Sequence, residues 1–87
     1  MNHDTIDRIE VWPEFGTWTI SACAEDGEEI EYLAHRHTES LAWRAAQDFA
    51  DFHHVPAIAR THDGTVVRRY TGGRIASAEA ARLRGES

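Results

Sequence analysis

Histidine side chains are the first residues in this sequence whose type and spacing could support chemistry. His35 and His37 would lie on one face of a strand, and His53 and His54 end a predicted helix. Imidazole nitrogens bind zinc and other transition metals, and several with open coordination would suit hydrolysis. Adjacent histidines diverge on a helix, however, and no HExxH-type motif is present. A histidine-based metalloenzyme is therefore our third hypothesis, and we expect no metal and no other cofactor.

The single cysteine, Cys23, could act as a nucleophile if a histidine lay beside it. A catalytic thiol needs a positive or helix-terminal setting that lowers its pKa, and Cys23 instead precedes an acidic turn. We expect a half-buried strand residue, no catalytic residue and a protein that is not an enzyme. A lone cysteine forms no disulfide within the chain, which predicts a reducing, cytoplasmic location.

An acidic segment is the strongest candidate for binding. Its carboxylates could attract a basic surface of another protein, including a surface that normally holds nucleic acid. By analogy, such mimicry suggests a phage or mobile-element inhibitor of bacterial defence, of the anti-CRISPR kind. The alternative is a solvated turn that keeps the chain soluble and protects a sheet edge. The five residues are Glu25, Asp26, Glu28, Glu29 and Glu31.

An arginine-rich segment near the C-terminal end offers a second way to bind. Arginine contacts to phosphate and stacking by tyrosine are how small sheet modules hold RNA or single-stranded DNA. A net charge of −6 opposes binding to a polyanion. These arginines could instead pair with the protein's own acids. The residues of this nucleic-acid alternative are Arg60, Arg68, Arg69, Tyr70 and Arg74.

Three aromatic residues could contact a partner protein or form a homodimer. Trp43 lies off the centre of the predicted helix's apolar face, and Phe15 falls in a turn; Trp12 completes the set. Exposed aromatic rings mark partner surfaces, although in a thin core they equally serve as packing at the rim.

Charge is unevenly distributed along the 87 residues. Residues 1–34 hold nine acids and one arginine, a net charge of −8, whereas residues 60–87 hold six arginines and three acids, a net charge of +3. The length allows one domain with a thin core. We expect residues 1–87 to form that single domain, with an ordered core over about 8–73 and a tail over 74–87. No segment has the roughly 20 apolar residues that cross a bilayer, so we expect neither export nor membrane contact.

The elements that must position these residues follow from periodicity and turn chemistry. Thr38 can cap a helix that Pro56 stops, and Asp63-Gly64 favours a tight reversal between strands 57–60 and 66–70. Earlier strands start near Arg8 and Thr17, and alternation continues from Ile30 to Ala34. We predict an α+β fold: an antiparallel sheet of four to five strands, one long helix on one face, and a short C-terminal helix over 77–83.

Alternation also predicts which side chains point inward. The exposed face of the first strands would carry Thr17, Thr19, Glu29 and Glu31, while the face toward the helix would carry Trp18, Ile20, Ile30 and Tyr32. In the last hairpin the inward residues would be Ala57, Ala59, Val66 and Tyr70. On the helix, the apolar face would comprise Leu41, Ala42, Ala45, Ala46, Phe49 and Phe52.

Several short motifs lie between residues 11 and 73: Val11-Trp12-Pro13, Trp18-Thr19-Ile20, Thr38-Glu39-Ser40-Leu41-Ala42, Asp63-Gly64-Thr65-Val66, Arg68-Arg69-Tyr70 and Gly72. On these motifs, residues 11–73 resemble a family of short bacterial domains known as domain of unknown function 2188. The acidic turn is heavier here than in that family, and His35-Arg36-His37 is unusual. The resemblance implies a fold and no catalytic residue. Together these observations favour a non-catalytic module that binds a protein partner through its acidic face, with nucleic-acid binding as the alternative.

Overall fold

Five strands and one helix make up residues 5–71, the part of the chain that the computed structural model describes. The elements are β1 Arg8–Glu14, β2 Thr17–Cys23, β3 Glu29–Arg36, α1 Glu39–His53, β4 Ala57–Arg60 and β5 Val66–Tyr70. The strands form a single sheet in the order β3-β2-β1-β4-β5. The predicted α+β class is confirmed. The tail over 74–87 and its predicted short helix lie outside the described residues.

The prediction of an all-antiparallel sheet is wrong, because β1 and β4 pair in parallel. Ile9 lies opposite Ala57 and Val11 opposite Ala59, while the other three strand pairs are antiparallel. The reason is the helix: α1 carries the chain from β3 at one edge across to β4 beside β1. A helical crossover of this kind delivers the next strand in the direction of the strand that it left. The turn signals in the sequence indicate which neighbouring strands pair, but they do not show that β4 would pair with β1 after the helix.

The helix begins as predicted and ends slightly earlier than Pro56 suggested. Thr38 is its N-cap, and the Thr38 hydroxyl oxygen accepts a hydrogen bond from the Leu41 backbone N–H at 3.2 Å. The helix ends at His54, which adopts a left-handed conformation with φ 59° and donates its backbone N–H to the Ala50 and Asp51 carbonyls. This left-handed C-cap, rather than the proline, turns the chain toward β4.

Small side chains let the helix approach the sheet closely. Ala42, Ala46 and Ala50 are fully buried and repeat every four residues along one stripe of α1. The predicted apolar face was too broad, because Leu41 is 50% exposed and Phe52 is 78% exposed. The stripe packs against alternating residues of the three central strands: Ile9, Val11, Ile20, Ala22, Ala57 and Ala59.

Bulges in β3 change which of its side chains share a face. Register shifts occur on β2 between Ile20 and Ser21 and between Ala22 and Cys23. As a result Tyr32 pairs with Ser21 on the side away from the helix, and Glu31 pairs with Ala22 on the helix side. Strict alternation had predicted the opposite for both residues, so those two assignments are wrong. A shift beside Arg60 likewise puts Val66 on the side away from the helix.

The second face of the sheet, which no other described element covers, is nonetheless partly buried by its own side chains. Glu10 and Thr19 are each 6% exposed, and Ser21 is inaccessible. Thr19 was predicted to be exposed, but its hydroxyl donates a hydrogen bond to the Glu14 carboxylate at 3.2 Å. Among residues 5–71, no helix is long and apolar enough to cross a membrane.

The close helix–sheet contact predicts a specific sensitivity to side-chain volume. Ala46→Leu should lower the free energy of unfolding by about 1–3 kcal/mol, because the larger side chain has no space at a fully buried position. Urea denaturation measures this change. Ser40→Leu, at an exposed position of the same helix, is the matched control and should leave stability nearly unchanged. Equal effects of the two substitutions would contradict the close packing.

Candidate functional site

The acidic segment predicted as one binding face is divided by the structure. Glu25, Asp26 and Glu28 lie in an exposed turn, where Gly27 has a φ of 91° and the Ala24 N–H donates to the Glu28 carbonyl at 2.8 Å. Glu29 lies on the face away from the helix, where its carboxylate accepts a hydrogen bond from the Ser21 hydroxyl at 3.1 Å. Glu31 lies on the opposite face. The turn and the two strand residues therefore form three separate acidic positions.

The arginine-rich hairpin is divided in the same way. Arg60 donates to Glu10 at 2.9 Å, and Arg68 donates to Glu39 at 3.3 Å on the helix side of the sheet. The Tyr70 hydroxyl donates to both oxygens of Asp51, at 2.9 and 3.1 Å, and this hydrogen bond raises the pKa of Tyr70. Arg69 pairs with Ile58 on the other face. Arg74 lies outside the described residues.

A buried carboxylate, which the sequence analysis did not identify, organises the sheet face away from the helix. Glu10 Oε2 accepts from Arg8 Nε at 2.6 Å, and Oε1 accepts from Arg60 Nε at 2.9 Å. The Glu10 side chain is only 8% exposed, against 18% for Arg8 and 32% for Arg60. Burial alone would lower the pKa of Arg8, but hydrogen bonds to Glu10 and Asp7 raise it above its ordinary value. The sequence did offer a signal for this ion pair: Arg8 and Glu10 are two residues apart on one strand, so their side chains share a face of the sheet.

On the helix side of the sheet, a groove lies between β3 and α1. It has a volume of about 580 Å³, with apolar walls and acidic groups at its rim. Phe52 is its most exposed aromatic residue, and the Phe52 ring meets the His53 ring edge-on at a centroid distance of 5.0 Å. We call this opening the β3–α1 groove. Its lining residues are Glu31, Leu33, Asp48, Phe49, Phe52 and His53.

Local structure explains why the groove exists. The bulge in β3 leaves Leu33 without a partner on β2, and Leu33 and Glu31 both line the groove from the strand side. From the helix side, Phe49 packs partly against the core, whereas Phe52 lies beyond the buried alanine stripe. The two carboxylates of Glu31 and Asp48 form no salt bridge with any other described residue. The groove thus combines accessible apolar area with negative charge.

The three aromatic residues proposed as a contact surface do not come together. Phe15 is 97% exposed at the tip of the β1–β2 hairpin. Trp12 is half-buried on the sheet face away from the helix, and Trp43 is half-buried against the core on the helix. Phe52 and Tyr32 were both predicted to face the core, and both are exposed aromatic residues that the prediction missed, at 78% and 51%.

The described residues give little support to either catalytic alternative, the histidine-based metal site or the Cys23 nucleophile. Within residues 5–71, no group of three or more His, Cys, Asp and Glu side chains could hold a metal ion. Cys23 is 2% exposed, more buried than expected, and burial raises its pKa to about 11, with a further contribution from Glu10. A thiol in this state is a poor nucleophile at neutral pH.

Comparison of the chain with protein-family models, with curated proteins and with solved structures found no match. The resemblance to domain of unknown function 2188 therefore stays a prediction from the sequence. The geometry of the described residues alone carries the functional argument that follows.

The buried position of Glu10 predicts a large effect of removing its charge. Glu10→Gln should lower the free energy of unfolding by about 2–3 kcal/mol, because two arginines lose their shared carboxylate on a buried face. Chemical denaturation gives the value. Glu39→Gln removes a more exposed ion pair with Arg68 and should cost less than about 1 kcal/mol. Similar losses for both variants would contradict the central role of Glu10.

The buried thiol gives a second prediction. At pH 8, native Cys23 should react with Ellman's reagent at least about 10-fold more slowly than the urea-unfolded chain. A pKa raised from 9.0 to about 11 lowers the thiolate fraction about 100-fold, and the greater nucleophilicity of the more basic thiolate offsets about 10-fold of this. Burial slows the reaction further. Equal rates in the native and unfolded states would show that the thiol is accessible.

Proposed function

We propose that this protein is a non-catalytic protein-interaction module, and that its β3–α1 groove binds a basic segment of a partner protein that also carries a large apolar side chain. The observation that carries the proposal is Phe52, a phenylalanine that is 78% exposed on the wall of an apolar groove with an acidic rim. The partner class follows from the chemistry of those walls and that rim.

Apolar contact supplies the first part of the argument. Phe52, Phe49 and Leu33 offer neighbouring apolar surface in one concave place. Complete burial of a phenylalanine side chain contributes about 1.5–3 kcal/mol, and in the isolated protein most of this is unrealised for Phe52. Aromatic residues in such pockets are where binding energy concentrates in protein interfaces. A leucine, methionine or aromatic side chain of the partner fits this surface.

Charge supplies the second part. Glu31 and Asp48 line the groove without a salt bridge to any described residue, so an incoming lysine or arginine breaks no ion pair within residues 5–71. Asp51 is different, because it already accepts hydrogen bonds from Tyr70. A net charge of −6 on the whole chain also favours the approach of a basic partner.

The exposed acidic turn has a supporting role in this proposal. Glu25 and its neighbours lie at the turn between β2 and β3 and do not line the groove. Exposed charges outside a contact surface accelerate encounter more than they stabilise the complex. Inhibition of a bacterial defence protein is one setting for such binding. We assign the contact to the groove rather than to phosphate mimicry, because mimicry requires the carboxylates on one surface.

Nucleic-acid binding through the arginine hairpin has less support. Arg60 and Arg68 already hold Glu10 and Glu39, and they lie on opposite faces of the sheet. A nucleic-acid backbone needs several cations along one path, in a field that is not strongly negative. The protein-binding proposal has no comparable cost.

Selection of peptides from a random display library on the immobilised native chain tests the proposal. We expect the bound peptides to combine Lys or Arg with a large apolar residue. Phe52→Ser should weaken their binding at least tenfold in isothermal titration calorimetry, which is about 1.4 kcal/mol. Glu31→Gln should weaken it less and should reduce its dependence on salt.

Matched control variants make the test specific. Leu41→Ser removes a half-exposed apolar side chain that lies on the same helix as Phe52 but does not line the groove. Glu25→Gln removes a carboxylate from the acidic turn. Both should leave binding within about twofold of the native chain. Peptides that bind Phe52→Ser as well as the native chain would overturn the assignment. So would gel shifts at low salt in which single-stranded nucleic acid binds and Arg69→Gln abolishes the binding.

A further inference from the structure

The turn between β1 and β2 places an aromatic residue in a backbone conformation that it rarely adopts. Strand pairing continues to Glu14 opposite Thr17, so Phe15 and Gly16 alone form the loop. Their φ angles are 50° and 79°, and positive φ at both central positions is the signature of a type I′ turn. Asn-Gly is the preferred sequence of this turn, because asparagine and glycine tolerate left-handed backbone.

Burial of the Phe15 side chain does not offset this backbone strain. Its side chain is 97% exposed, so the ring contributes almost no burial to the core. A bulky residue with positive φ is an outlier, and such outliers cluster at sites that serve function. A residue that breaks a local rule without a compensating contact is therefore a candidate for a contact with another molecule.

The hairpin orders the backbone that carries the Phe15 ring. The Thr17 hydroxyl donates to the Glu14 carbonyl at 3.0 Å, and the Thr19 hydroxyl donates to the Glu14 carboxylate at 3.2 Å. The short loop and these hydrogen bonds limit the freedom that the tip can lose on binding. A tip whose backbone is already ordered loses less entropy on binding.

We propose that Phe15 is an anchor that inserts into an apolar pocket of a partner protein. This contact is separate from the β3–α1 groove and does not depend on it. The tip adjoins the end of β2 at which Trp18 pairs with Arg36, whereas Glu31 of the groove pairs with Ala22 near the other end of that strand. The module thus has two distinct contact surfaces.

The setting of Phe15 favours a protein pocket over a lipid surface. It is the only aromatic residue of the loop, and its immediate neighbours are Glu14 and Gly16. Insertion into a bilayer needs several apolar residues together with cations that meet anionic lipid. The chain instead has a net charge of −6, which anionic membranes repel.

Substitution by the residue that the turn prefers separates folding from binding. Phe15→Asn should raise the melting temperature by about 4–8 °C, because asparagine tolerates positive φ. Leu41→Asn, which replaces another exposed apolar residue, should not raise it. In the same experiment series, p-benzoylphenylalanine at position 15, in cells that encode the chain, should form a light-dependent adduct with one protein. The same photo-crosslinker at position 41 should form no such adduct.

Competition decides whether that adduct reports a specific contact. Excess native chain should suppress the adduct at least tenfold, whereas Phe15→Asn should suppress it less than twofold. Phe52→Ser should compete as well as the native chain, which distinguishes this contact from the groove. Three results would overturn the proposal: equal competition by Phe15→Asn, an adduct of twice the mass of the chain, or Phe15-dependent binding to phospholipid vesicles. A melting temperature that falls in Phe15→Asn would also overturn it, because the strain argument would fail.

Discussion

The buried carboxylate of Glu10 accepts hydrogen bonds from both Arg8 and Arg60 and links strands that are far apart in the chain. Glu10 lies on β1, the central strand, and Arg60 lies on β4, the strand that the chain reaches only after the helix. The contact therefore joins the two halves of the chain at their parallel pair. Buried ion pairs add less net stability than apolar packing of the same volume, but loss of one partner is costly. We infer that Glu10 selects the register in which β4 lies beside β1.

This use of charge has consequences for function. Arg60, one of the arginines predicted to bind phosphate, instead forms an ion pair with Glu10 inside the fold, and Arg68 donates a hydrogen bond to Glu39 of the helix. The groove to which we assign partner binding lies on the helix side, where Phe52 is exposed beside Glu31 and Asp48. The helix packs on the sheet through small alanine side chains. The core therefore does not need Phe52, which lies at the edge of this contact and stays exposed.

The sequence predicted local structure well and non-local structure poorly, for identifiable reasons. Thr38 as a cap and Asp63-Gly64 as a turn were both right, because capping and turn formation depend on a few neighbouring residues. The parallel pairing of β1 with β4 and the bulges of β3 depend on residues far apart in the chain. One bulge was enough to move Glu31 from the predicted exposed face into the groove. Phe52 was misassigned because periodicity defines a face but not the width of the strip that the sheet covers.

Nuclear magnetic resonance can locate the surface to which a peptide binds and so tests whether the β3–α1 groove is the binding surface. A basic peptide selected on the native chain would be titrated into isotope-labelled protein, with the side-chain signals of Leu33, Phe49 and Phe52 followed as probes. If the peptide binds in the groove, we expect these signals to shift progressively and saturate, and to show intermolecular nuclear Overhauser effects to the apolar residue of the peptide. Shifts confined to the opposite face of the sheet, around Trp12 and Arg69, with the groove signals unmoved, would contradict it.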